Sequence, residues 1–364
     1  MDLSWAQALA WRMRRQLLEP VGTESVAGVV RRLGAIPAYP DMLAELAVRC
    51  RRQRSRPGEV ARALAEGRII TTFAFRGATH LMTPAEAGTY LALRSASRMW
   101  ELPSWQSAYG LTPEDWPRFR ETVRDALAAG PMTREELGAA VTAAPKFRHL
   151  GFAFAEKSWS LLKPLAWQGV MSLGPPREGR ATFQRLDDNP RWAGLPDLDE
   201  AGVRAVETYL RAYGPATVSH LRYWIGNGLG AGGRRIPSWL ATFGDRLAPV
   251  QVGGEPAYVL REDLDELAAT PATAAVRLLP GHDQWVLGPG TADPHVVPPA
   301  QRTPITRGAN IVIVGGVVSG TWSLTEDAVV VDWFTRAAPS TRKAMAEEVA
   351  RLATIVGRPL RTAS

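Results

Sequence analysis

The sequence predicts an α+β fold: three repeated helix–helix–hairpin units followed by a β-rich C-terminal part. Three observations predict it. A helix junction recurs, as Gly130-Pro131-Met132-Thr133 with Leu137 behind it and as Gly214-Pro215-Ala216-Thr217 with Leu221 behind it. In each, Gly-Pro ends one helix and Thr opens the next. Strand–turn–strand patterns follow the helices at residues 69 to 82, 170 to 186 and 247 to 260. After Leu278 the texture changes to short strands, at 285 to 287, 311 to 314, 317 to 321 and 329 to 334. Helix-turn-helix followed by a hairpin is the winged-helix layout, mostly a device for holding nucleic acid. The expected segments are three tandem winged-helix units at 1–98, 99–192 and 193–270, then a C-terminal β domain with a terminal helix at 271–364.

The elements follow in order. A first helix spans residues 3 to 18. Thr23 or Ser25 caps a second through Val29 and Leu33, which stops at Gly34. Pro37 and Pro40 break the chain. Asp41 then caps a helix with Leu43, Leu46, Ala47 and Cys50 on one face. A helix at 57–66 leads to the hairpin at 69–82, the first wing, which holds Arg76 and His80. A connecting helix at 84–98 precedes an aromatic stretch with Trp100, Trp105, Tyr109 and Trp116. The second unit has helices at 117–129, 134–143 and around 152–168. Glu136 lies three residues after Thr133, the spacing of a capping box. Its wing carries Arg177 and Arg180 at the tip, and Arg222 lies in the third unit. Gly315-Gly316 signals a two-residue hairpin, and a helix at 338–356 closes the chain.

Composition bounds the function. The 364 residues suggest two to four domains, and a hydrophobic fraction of 46% is ordinary for globular protein. No apolar run approaches the roughly 18 residues of a membrane span. Trp11-Arg12-Met13-Arg14-Arg15 interrupts any signal-peptide core early. Cys50 is the only cysteine, which excludes an intramolecular disulfide and a thiolate zinc site and fits the cytoplasm. Net charge is +7, carried almost wholly by arginine; the lysines are Lys146, Lys157, Lys163 and Lys343. A guanidinium fork suits phosphate, although a GC-rich genome yields the same usage.

The meaning of several motifs depends on their context. Gly228-Leu229-Gly230-Ala231-Gly232-Gly233 has dinucleotide-fingerprint spacing, but a helix precedes it and Arg-Arg-Ile-Pro follows, so it reads as a loop. Arg49, Arg51, Arg52, Arg54 and Arg56 form the densest basic run, either a phosphate-contacting edge or a solvated helix end. No two of the five histidines have metal-helix spacing. His80 lies in Arg76-Gly77-Ala78-Thr79-His80, and Leu279-Pro280-Gly281-His282-Asp283-Gln284-Trp285 packs polar residues between apolar ones. From the residues alone the chain is a nucleic-acid-binding repeat protein with an unexplained β part.

These motifs resemble the bacterial DNA glycosylases of the AlkZ/YcaQ type. The landmarks are Val30-Arg31-Arg32-Leu33-Gly34, Arg76-Gly77-Ala78-Thr79-His80-Leu81, Leu279-Pro280-Gly281-His282-Asp283 and Gly315-Gly316 through Gly320-Thr321-Trp322. The resemblance implies excision of N7-alkylated purines or unhooking of crosslinks in duplex DNA, by a monomer without metal or cofactor. It also implies self-resistance to DNA-alkylating natural products in some members. An N7-alkylated purine is cationic, so its glycosidic bond already tends to break, and the enzyme steadies an oxocarbenium-like transition state and places a water. One departure is clear. The family carries Gln-x-Gln or Gln-x-Asp after the first Leu-Gly, where this chain has Pro37-Ala38-Tyr39. The resemblance therefore leaves Tyr39, for a hydrogen bond at the sugar, and His80 and Asp283, for water or oxocarbenium stabilisation, as candidate catalytic residues. Arg76, Arg177, Arg180 and Arg222 are candidate DNA contacts. A non-catalytic DNA-binding protein, regulator or lesion sensor, stays open beside the glycosylase.

Overall fold

Several helices begin where side chains supply acceptors for orphan amides. The computed structural model describes residues 1–156 and 158–363. Ser4 and Gln7 form a capping box for Trp5–Arg15, and Ser25 accepts from the Gly28 amide at 3.1 Å to start Val26–Leu33. Thr133 and Glu136 close the expected box on Arg134–Thr142. Thr217 pairs with His220 in the same way for Val218–Leu221. Asp41–Arg49 departs from expectation: Pro40, extended at φ −67° and ψ 148°, takes the cap position, and Asp41 enters the first turn. Proline's fixed φ suits that position, and the Asp41 charge complements the helix dipole.

The chain divides into two compact lobes. The first holds residues 1–62, 206–224 and 234 onward; the second holds 63–205 and 225–233.

The first lobe has two sheets. Leu247–Val252 and Glu255–Leu260 form an antiparallel hairpin, and Asp2–Leu3 adds a parallel strand. Leu3, Trp11, Val250, Val259 and Leu267 are buried together behind it. The larger sheet runs in the order Val276–Leu279, Asn310–Val314, Val317–Leu324, Ala328–Trp333, Arg361–Ala363. Gly315 and Gly316 turn it tightly, with φ of 57° and 91°, a pairing that glycine adopts without strain. Its two faces follow the period-2 alternation of strands. Val276, Leu278 and Val312 meet Met345, Val349 and Leu352 of the helix Pro339–Val356. Leu279, Ile311 and Ile313 meet Leu9, Met13 and Trp285 on the other face. Each such side chain contributes about 1.5–3 kcal/mol of burial. The strand expected at 285–287 is instead the helix Gln284–Leu287. Asp283 caps it, and a short apolar run does not distinguish helix from strand.

The second lobe orders its strands Thr79–Met82, Ile70–Phe73, Met171–Arg177, Arg180–Arg185, Met132–Thr133. The hairpins expected at 69–82 and 170–186 both form. They do not stand apart, because Thr71 pairs with Leu173 and joins them into one sheet. The helix expected around 152–168 splits into Gly151–Ala155 and Lys163–Trp167, with Pro164 at the start of the second. Among the described residues no helix is long and apolar enough to cross a membrane.

Candidate functional site

Tyr39 lies between the helices Val26–Leu33 and Asp41–Arg49 of the first lobe. The first helix ends at Gly34, whose φ of 79° turns the chain, and Ala35, Ile36 and Ala38 of the connecting segment are buried. Tyr39 itself points out, 79% exposed. Pro37 is half-buried.

The far end of Asp41–Arg49 is locked. Arg51 is fully buried and donates from Nη1 to Asp283 Oδ2 at 2.8 Å and from Nη2 to Asp283 Oδ1 at 2.6 Å. It also donates to the Ala47 carbonyl at 2.8 Å, while its Nε has no partner among the described residues. Burial works against the Arg51 charge, but the Asp283 carboxylate more than offsets this and raises the guanidinium pKa. Asp283 Oδ1 also accepts from the Trp285 amide at 2.8 Å, so one carboxylate neutralises a cation and caps a helix. Arg351 adds a third tie, donating to the Cys50 carbonyl at 3.0 Å while paired with Glu348. The same burial pushes the Cys50 thiol up to about 11, which keeps it protonated. The turn before Asp283 is held too. The Gly281 amide donates to Asn310 Oδ1 at 2.8 Å, and Trp322 Nε1 donates to the Leu279 carbonyl at 3.0 Å.

In the second lobe His80 sits on Thr79–Met82, directly across from Thr72. It is 4% exposed, and its ring lies 5.3 Å from that of Phe75. Desolvation lowers its pKa to about 4; the neighbouring Arg76 charge adds to this and the Ala78 hydrogen bond opposes it. His80 is therefore a neutral imidazole near pH 7. Nδ1–H donates to the Ala78 carbonyl at 3.0 Å, which leaves the lone pair on Nε2. The Thr72 hydroxyl opposite is buried without a partner among the described residues.

The candidate phosphate ligands differ in readiness. Arg222 is exposed and has no carboxylate partner among the described residues. Arg177 pairs with the capping Glu136, and Arg180 with Glu178 at 3.2 Å. Arg76 is exposed at a backbone φ of 52°. Of the basic run, Arg49 and Arg51 turn inward and Arg52 pairs with Glu59, so only Arg54 and Arg56 remain exposed. Sequence reasoning missed the Arg51–Asp283 pair, since Arg51 is indistinguishable in sequence from its exposed neighbours. Asp41, expected only as a helix cap, and Met42 are both exposed close to Tyr39 in the chain. Among the described residues no group of three His, Cys, Asp or Glu side chains is arranged to hold a metal.

A family model described as DNA glycosylase AlkZ-like matches residues 30–355. The chain belongs to the AlkZ-like DNA glycosylase family. This AlkZ-like chain is similar to the interstrand DNA cross-link repair glycosylase of Streptomyces sahachiroi, 36% identical over 364 residues and covering 98% of each chain. The solved structure of Streptomyces sahachiroi DNA glycosylase AlkZ matches it with a TM-score of 0.92 over 100% of both chains, again at 36% identity. The AlkZ-like assignment thus rests on the whole chain, not on one motif.

Proposed function

We propose that this protein is a DNA repair glycosylase that hydrolyses the N-glycosidic bond of N7-alkylated purines in duplex DNA, including purines joined in an interstrand crosslink. The observation that carries the proposal is the full-length similarity to the Streptomyces sahachiroi crosslink repair glycosylase. The three hairpin-bearing segments are its winged-helix units, the protein acts as a cytoplasmic monomer, and it serves self-resistance to a DNA-alkylating natural product.

The chemistry is economical. The bond from C1′ to the purine nitrogen breaks with its electron pair going to the base, which neutralises the cationic ring. Water then attacks C1′ and gives up a proton, leaving an abasic site. Neutral His80, with Nδ1–H committed to Ala78, uses its Nε2 lone pair to orient that water. Tyr39 donates a hydrogen bond at the sugar. Asp283, enclosed and engaged by Arg51, acts as a positioning residue that holds the helix behind Tyr39. Arg222 meets phosphate directly, Arg177 and Arg180 exchange their carboxylate partners for phosphate, and exposed Arg76 adds a further phosphate contact.

One observation favours a second reading. Pro37-Ala38-Tyr39 replaces the family's glutamine motif, which suits a lesion-binding protein without cleavage. Incubation with a duplex crosslinked through two N7 purines, followed by denaturing electrophoresis, separates the two. Unhooked strands carrying abasic sites support the glycosylase; retained crosslinks with tight binding support the sensor.

A further inference from the structure

We propose that Tyr39, Asp41 and Met42 form an open stacking face that recognises the positive charge of the alkylated base; this rests on the glycosylase reading above. Tyr39 and Met42 are 79% and 76% exposed, the most exposed large hydrophobic side chains of the described residues, and only three positions apart. Tyr39 makes no ring contact or hydrogen bond among the described residues. Asp41 lies between them in sequence, exposed and without a cation partner among the described residues. Single exposed apolar residues need no explanation, but two within four residues, with an unpaired carboxylate in the same stretch, offer a defined chemistry.

Its three groups share one preference. The phenol face carries negative potential and attracts a cation lying over it. The thioether is polarisable and packs well against a flat ring system. The carboxylate favours the same charge and repels phosphate, so the face meets a base rather than the backbone track. A neutral guanine gains only stacking there, whereas an N7-alkylated guanine gains stacking plus two electrostatic attractions. The face is also held firmly. It sits at the start of Asp41–Arg49, whose other end is fixed by Arg51 on Asp283 and by Arg351 on the Cys50 carbonyl.

The test is equilibrium binding to two duplexes that differ only at one residue, guanine or N7-methylguanine on a 2′-fluoroarabinose that resists hydrolysis. The readout is the ratio of the two Kd values for the wild type, Tyr39→Phe, Tyr39→Leu, Asp41→Asn and Met42→Ala, each checked for native circular dichroism. Tyr39→Phe is expected to keep the preference for the charged base. Tyr39→Leu is expected to lose about 3- to 30-fold of it, and Asp41→Asn lowers it as well. A Tyr39→Leu ratio equal to wild type overturns the proposal. So does a Tyr39→Phe ratio that falls as far as Tyr39→Leu, which places the effect in the hydroxyl. Alkaline cleavage of an ordinary N7-methylguanine duplex after incubation with wild type reports the glycosylase reading separately, because the binding ratio needs no turnover.

Discussion

Replacing Asp283 by Asn removes one charge and keeps almost everything else. Asn caps a helix about as well as Asp, so the bond to the Trp285 amide survives and the experiment isolates the ion pair. Both side chains of the Arg51–Asp283 pair have no solvent exposure, and Arg51 makes two short bonds to the carboxylate. Taking one partner away leaves a guanidinium buried without a counter-charge, at a cost of about 3–5 kcal/mol. Breaking an exposed pair would cost about 0–1 kcal/mol. Urea unfolding followed by circular dichroism measures the difference. If the buried orphan charge is the cause, Arg51→Met combined with Asp283→Asn recovers much of the loss, since the double variant buries no such charge. A loss below about 1 kcal/mol for Asp283→Asn, or a double variant no more stable than the single one, refutes it.

The remaining expectations are simpler. The folded His80 pKa of about 4 lies below the roughly 6.5 of an unfolded chain, so the unfolded state takes the proton first as pH falls. The associated stability is complete above about pH 6.5 and is lost toward pH 4, a swing of about 3 kcal/mol. His80→Gln should remove that swing from the unfolding free energy, and an unchanged pH profile would contradict it. Cys50, buried with its thiol pushed to about 11, should resist a disulfide reagent at pH 8 until urea unfolds the chain. Stoichiometric labelling of native protein would contradict that. Arg222→Ala should weaken duplex binding and lower the slope of log affinity against log salt by about one. Arg180→Ala should change the slope less, because Glu178 already holds that cation.

Local chemistry was legible in the sequence and long-range pairing was not. Thr133 and Glu136 sit three residues apart, and their capping box could be read directly. Gly315-Gly316 specified its turn because both residues need positive φ. The hairpins at 69–82 and 170–186 were visible, yet nothing local says that Thr71 meets Leu173 and fuses them. Likewise Asp2–Leu3 is too short to read as a strand until Leu247–Val252 offers it an edge. The candidate site follows the same division. His80 and Asp283 stood out by their motifs, but the partner of Asp283 lies 232 residues away within an arginine run that looked uniform. Tyr39 drew attention as a substitution, whereas its exposure beside Met42 came only from the fold.

The most direct measurement is a single-turnover reaction of the wild-type protein with a duplex carrying one N7-methylguanine, scored by chromatography of the released base. A glycosylase of this kind gives free 7-methylguanine and an equal amount of alkali-labile abasic strand, with no release from the matched guanine duplex. Tight binding of the damaged duplex with no base released over spontaneous depurination would contradict it.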